Sequence, residues 1–164
     1  MKKIYFACSI AGGRDHAHVY SDIIGYIKST GAELMSELFA DKELKPEVGM
    51  NMDPAEVWKR DVDWIKAADA IVAEVTQPSL GVGYEIGKVE DSNKPVLALF
   101  YDGSGRRLSP MIAGNPHVTV VRYNNIKETK SAIIQFLNSL LVLTGGVAQN
   151  LAQPQCNIKR DRTG

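Results

Sequence analysis

The chain has 164 residues, enough for one domain with a full core. Its 19 basic and 19 acidic side chains cancel, so no global field favours nucleic acid or an anionic membrane. No apolar run is long enough to span a bilayer, and Met1-Lys-Lys leads into a strand rather than a signal peptide. Cys8 and Cys156 supply neither a disulfide framework nor zinc spacing, so a reduced, cytoplasmic compartment is the expectation. A small anionic ligand stays open, because it needs only a local site.

In chain order, Lys3-Ile-Tyr-Phe-Ala-Cys8 is a compact apolar run and predicts a central first strand. Ser9-Ile-Ala-Gly-Gly-Arg14 follows as a loop. Its paired glycines, Gly12 and Gly13, permit close backbone approach, and Arg14 is able to grip a phosphate. His16 and His18 do not share a helix face and make a poor metal pair. Val19, Ile23, Ile24 and Ile27 repeat at helical spacing, and Thr30-Gly31 closes that helix. Glu33–Leu38 fits a second strand, and residues 39–52 read as a loop over the edge of a site.

Asp53-Pro54 opens the next helix as N-cap and first helical residue. Val57, Asp61 and Ile65 then fall on one stripe, which sets a carboxylate on an apolar track. Such a group is costly unless paired or functional. Asp63 lies instead with Lys59 and Lys66 on a wet face.

The central stretch runs from Asp69 to Gly87. Asp69-Ala-Ile-Val-Ala-Glu-Val75 reads as a buried strand broken at Thr76-Gln77-Pro78-Ser79, with a helix starting near Gly83. Strand-to-helix turns of this kind bind anions in open α/β sheets. Glu85 is expected in the first turn of that helix, where the dipole would keep it ionised, as a nucleophile requires. Acidic residues are also common there for the dipole's sake alone. Gly81, Gly83 and Gly87 give G-x-G-x-x-x-G rather than the dinucleotide fingerprint, and a Walker A spacing is absent, so neither NAD nor ATP is favoured.

Val96–Phe100 is a further buried strand, Leu108–Ile112 a short turn, and Val118–Tyr123 a fifth strand. A last helix from Ile126 turns Ile133, Ile134, Leu137 and Leu141 inward. Residues 1–143 are expected to form the domain, and 144–164 a mobile or late-packing tail. Five strands alternating with helices predict a single doubly wound, five-stranded parallel sheet of the Rossmann or flavodoxin type. With order 2-1-3-4-5, the loops 9–14 and 76–83 face one crevice at the switch point, with Tyr5 near its floor.

Tyr5–Arg14, Asp61-Val-Asp-Trp64, Ala73–Gly87 and Leu108-Ser-Pro-Met-Ile112 together resemble the 2'-deoxynucleoside 5'-phosphate N-hydrolases, the Rcl-type members of the nucleoside 2-deoxyribosyltransferase superfamily. The resemblance spans roughly residues 3 to 140 and implies cleavage of the N-glycosidic bond of a deoxynucleoside 5'-monophosphate to base and 2-deoxyribose 5-phosphate. It implies that Glu85 attacks C1' to form a glycosyl-enzyme, that Asp61 helps protonate the departing base, and that Tyr5 orients the nucleophile and crowds the 2' position. An oxocarbenium-like transition state wants that division of labour between two carboxylates.

By the same resemblance, Ser9, Ile10 and Ser79 belong to the substrate site, the two serines on the phosphate with backbone amides around Gly12, Gly13 and Gly81. Ser109 would reach the phosphate from the neighbouring subunit of a homodimer, and Met111, on the same short turn, would line the pocket. One position departs from the family: Ala11 stands where an arginine is frequent. No metal or cofactor is implied. A nucleoside deoxyribosyltransferase and a non-catalytic nucleotide-binding module are the competing readings.

Overall fold

The computed structural model of the protein describes residues 1–10, 17–36 and 53–143. The elements in order are β1 (Lys3–Ala7), α1 (Ala17–Ser29), β2 (Glu33–Leu34), α2 (Pro54–Ala67), β3 (Ala70–Glu74), α3 (Leu80–Gly87), β4 (Val96–Tyr101), α4 (Pro110–Ala113), β5 (Val118–Tyr123) and α5 (Ile126–Leu143). The strands form one parallel sheet of order β2-β1-β3-β4-β5, as expected from the sequence.

The central strands β1 and β3 are apolar apart from Lys3 and Glu74 at their ends, because both their faces are covered. β3 is buried from end to end, and Ile4 to Ala7 of β1 are all inaccessible to solvent. Register pairs Tyr5 with Ile71 and Ala7 with Ala73, so these side chains share a face. The alternate set packs under α1, where Phe6 meets Tyr20 edge-on at 5.9 Å. Sheet alternation therefore sends Tyr5 to the α2/α3 side and Phe6 to the α1/α5 side.

β2 is shorter than the predicted Glu33–Leu38. Backbone pairing ends with Met35 N donating to Ile4 O at 2.9 Å, and a side chain then takes over: Phe6 N donates to Ser36 Oγ, which in turn donates to Phe6 O, both at 2.9 Å. Residues 37 and 38 lie outside the described residues, as do the loop expected over 39–52 and the tail expected over 144–164.

α1 closes at Gly31, whose φ of 79° is the left-handed conformation that glycine adopts without a Cβ penalty. α2 begins as predicted, with Asp53 Oδ1 accepting from Ala55 N at 2.7 Å and Pro54 at the first position. Its far end is capped by Lys94, whose Nζ donates to the carbonyls of Ile65 at 2.9 Å and Ala68 at 2.7 Å. On α5 the inward residues are Ile133, Leu137 and Leu140, while Ile134 is only half-buried. The 3.6-residue period favours 133, 137 and 140 over the 133, 134 pair. No helix among the described residues is long and apolar enough to cross a membrane.

Candidate active site

β1 and β3 lie side by side at the sheet's switch point, and the helices that follow them leave in opposite directions. On the α2/α3 face of this junction three polar side chains come together. Tyr5 is fully buried, and its hydroxyl donates to Glu85 Oε1 at 2.8 Å. Burial pushes the phenol far above its ordinary value, with the charges of Glu85 and Asp61 adding to the effect. Tyr5 therefore remains a hydrogen-bond donor at every working pH.

Glu85 is not in the first turn of its helix. Ser79 caps α3 through Oγ, which accepts from Val82 N at 3.4 Å, so the helix starts at Leu80 and its first turn carries no acidic residue. A side chain one turn further in gains little from the dipole. Burial instead pushes the Glu85 carboxyl up to about 7, the Tyr5 hydrogen bond pulling it down and the Asp61 charge raising it. The expectation of a dipole-ionised carboxylate is thus corrected: at neutral pH the group is poised between its two forms.

Asp61 comes from α2, half-buried between the exposed face and the Val62–Ile65 stripe. Arg60 Nε donates to Asp61 Oδ1 at 2.8 Å, and the Arg60 guanidinium lies 4.9 Å over the Trp64 ring. Its neighbour Asp63 pairs with Lys59 at 2.6 Å on the exposed side, as the helical spacing predicted. Two carboxylates from two helices, one of them bound by a permanent donor from the sheet, lie close enough for the Asp61 charge to act on both Tyr5 and Glu85.

Ser9 lies two residues beyond the end of β1 and is fully buried, yet its Oγ has no hydrogen-bond partner among the described residues. Buried hydroxyls are rarely left so. Ile10 beside it is half-buried, and Gly12, Gly13 and Arg14 lie outside the described residues, as does Ala11. Ser79 is half-buried at the start of α3; a Cβ at Gly81 would stand 3.7 Å from its Oγ. Glycine there keeps the flank of that hydroxyl open. Ser109 and Met111 are not gathered into this cluster: both are exposed at α4, and the Ser109 side chain makes no capping bond. Among the described residues no group of three His, Cys, Asp or Glu side chains is placed to hold a metal ion.

Three features escaped sequence reasoning. Arg60 adjoins Asp61 in sequence, but adjacent helical residues do not ordinarily face each other. Trp58 Nε1 donates to Tyr84 Oη at 3.0 Å, tying α2 to α3. Glu74, hidden in an apolar run, is wholly inaccessible to solvent.

The family model described as nucleoside 2-deoxyribosyltransferase matches residues 4–130. A relative from Syntrophotalea carbinolica, bearing the name 2'-deoxynucleoside 5'-phosphate N-hydrolase, is 41% identical over 126 residues, covering 77% of this chain and 87% of that protein. A Tetraodon nigroviridis relative named 5-hydroxymethyl-dUMP N-hydrolase is 46% identical over 114 residues, covering 68% of this chain and 79% of that protein. Among solved structures, that of BlsM is similar with a TM-score of 0.67 at 19% identity, covering 92% of this chain and 98% of that one. This last likeness speaks for the fold alone.

Proposed function

The chain belongs to the nucleoside 2-deoxyribosyltransferase family, and on that footing we propose that it hydrolyses the N-glycosidic bond of 2'-deoxynucleoside 5'-monophosphates to free base and 2-deoxyribose 5-phosphate. The observation that carries this reading is the Tyr5 hydroxyl bound to Glu85 Oε1 at 2.8 Å, with the Asp61 charge reaching both groups.

In the proposed reaction Glu85, ionised, attacks C1' as the C1'–N bond breaks, and the bond's electron pair leaves with the base. Asp61 assists delivery of a proton to the departing nitrogen. Water then adds at C1', releasing Glu85 and transferring a proton to solvent. Tyr5 holds the carboxylate by one lone pair and fills the space a 2'-hydroxyl would need. The poised Glu85 suits this cycle, because it must act as nucleophile in one step and leaving group in the next.

The 5'-phosphate is assigned to the Ser9 and Ser79 hydroxyls, with Gly12, Gly13, Arg14 and the Gly81 amide around it. The orphaned buried Oγ of Ser9 and the open flank of Ser79 support that assignment. We assign Ser109 and Met111 to the site of a second copy in a homodimer. Met111 is 82% exposed and Leu80, at the start of α3, 96% exposed, which gives two apolar side chains a reason to be covered.

The test is a panel of deoxynucleoside and ribonucleoside 5'-monophosphates with their nucleosides, with and without an added second base. Base release from deoxynucleotides alone, unchanged by added base, is the expected result. Exchange of bases between nucleosides would establish a transferase instead, and no release from any compound would leave a binding module.

A further inference from the structure

Glu74 is a buried carboxyl that the proposed reaction does not use. Alternation along β3 turns it to the α1/α5 face, away from Glu85. Its Oε1 accepts from the Thr76 hydroxyl in a short hydrogen bond, from Thr76 N at 3.4 Å and from Tyr123 Oη at 3.3 Å. Thr76 Oγ1 in turn accepts from Tyr101 N at 2.8 Å. Glu74 Oε2 has no partner among the described residues.

This cluster stands where the sheet lets go of the chain. The last backbone rung between β3 and β4 is Val75 N to Leu99 O at 2.9 Å. The next rung is made by a side chain, the Thr76 hydroxyl, and that hydroxyl is fixed by Glu74. Thr76 is 1% exposed, and beyond it the chain turns through Gln77 and Pro78 to Ser79, the cap of α3. Proline fixes one backbone angle of this short arm, so an error at Thr76 is carried to Ser79. Glu85 is held separately, by Tyr5 and by the buried Val82 and Ile86 of its own helix. A shift of the arm would therefore reach the phosphate end of the site before the nucleophile.

We propose that Glu74, acting through the Thr76 hydroxyl, is a positioning residue that sets how strongly the enzyme favours a 5'-phosphorylated substrate over the corresponding nucleoside. The inference rests on the phosphate assignment given to Ser9 and Ser79 above.

The test compares kcat/KM for one deoxynucleoside 5'-monophosphate and its deoxynucleoside in the wild-type full chain, Thr76→Val, Glu74→Leu and Glu74→Gln. Thr76→Val and Glu74→Leu are expected to lower the nucleotide-to-nucleoside ratio about tenfold, the scale of one hydrogen bond, chiefly through KM for the nucleotide. Glu74→Gln keeps the oxygen that accepts from Thr76 and should restore most of the ratio. If Glu74→Leu fails to fold, Thr76→Val and Glu74→Gln decide. An unchanged ratio in Thr76→Val, or an equal fall for both substrates, overturns the proposal. A wild-type protein that cleaves no deoxynucleotide, or cleaves nucleotide and nucleoside alike, overturns the phosphate assignment and this inference with it.

Discussion

The indole of Trp58 and the phenol of Tyr84 join α2 to α3 through a 3.0 Å hydrogen bond, and these are the helices that carry Asp61 and Glu85. Trp58 precedes Asp61 by one turn, and Tyr84 directly precedes Glu85. The bond thus bridges, from outside, the two helices whose carboxylates are proposed to act together. Both rings are about half exposed, so the tie contributes little to stability, ~1 kcal/mol or less. Trp58→Phe is expected to leave the melting temperature within a few degrees while lowering kcat several-fold, read by thermal melts beside steady-state kinetics.

Tyr5→Phe removes the donor that pulls the Glu85 carboxyl down. The Glu85 pKa should then rise above about 7, so the acid limb of the kcat/KM profile moves to higher pH. If Tyr5 crowds the 2' position as proposed, the same variant should also weaken discrimination against ribonucleotides. A pH profile and a deoxy-to-ribo ratio check the two effects separately.

Asp61→Asn acts in the opposite sense on Glu85. Removing the neighbouring negative charge lowers the Glu85 pKa, and the acid limb moves to lower pH. Losing the group that assists the leaving base should cost on the order of 10²-fold in kcat. A base that leaves easily without protonation should suffer less, which a comparison of purine and modified pyrimidine substrates would read.

Ser9→Ala deletes a buried hydroxyl that has no partner among the described residues. The unliganded protein should be as stable as wild type or slightly more so, because an unsatisfied polar group is removed. Binding of the phosphorylated substrate should weaken by about tenfold, the scale of one hydrogen bond to a charged group. Thermal shift with and without inorganic phosphate measures both sides of this exchange.

Glu74 gives the protein a stability that depends on pH. Burial pushes its carboxyl up to about 7 in the folded chain, from 4.5 in an unfolded one, against the hydrogen bonds from Thr76 and Tyr123. The folded state therefore holds a proton that the unfolded state releases between those values. The contribution is complete below about 4.5 and is lost as pH rises towards 7, on the order of 3 kcal/mol in all. Denaturant melts from pH 5 to 8 should show stability falling across this window, and Glu74→Gln should remove part of the fall, the raised Glu85 carboxyl supplying the rest.

The fold was legible because its signals are local and redundant. Apolar runs at Lys3–Cys8, Asp69–Val75 and Val96–Phe100 are short and rich in strand-favouring residues, which suits strands buried on both faces, and Asp53-Pro54 states a helix start outright. Asp61 was legible as an anomaly, a carboxylate on an apolar stripe. Glu85 was found, but its electrostatics were not: the cap at Ser79 moved the helix start and placed the carboxyl beyond the dipole's reach. Glu74 illustrates the opposite limit. Its role depends on Tyr123 and Tyr101, 49 and 27 residues away, and no local pattern reports contacts across three strands. Residues 11–16, among which the sequence singles out Gly12, Gly13 and Arg14, lie outside the described residues.

The measurement that bears most directly on the central claim is base release from a deoxynucleoside 5'-monophosphate by wild-type protein and by Glu85→Ala, with products separated by chromatography and folding of both proteins checked by circular dichroism. Equimolar base and 2-deoxyribose 5-phosphate are expected from the wild type, and release at the assay floor from the variant. Undiminished release by a folded Glu85→Ala protein would contradict that claim.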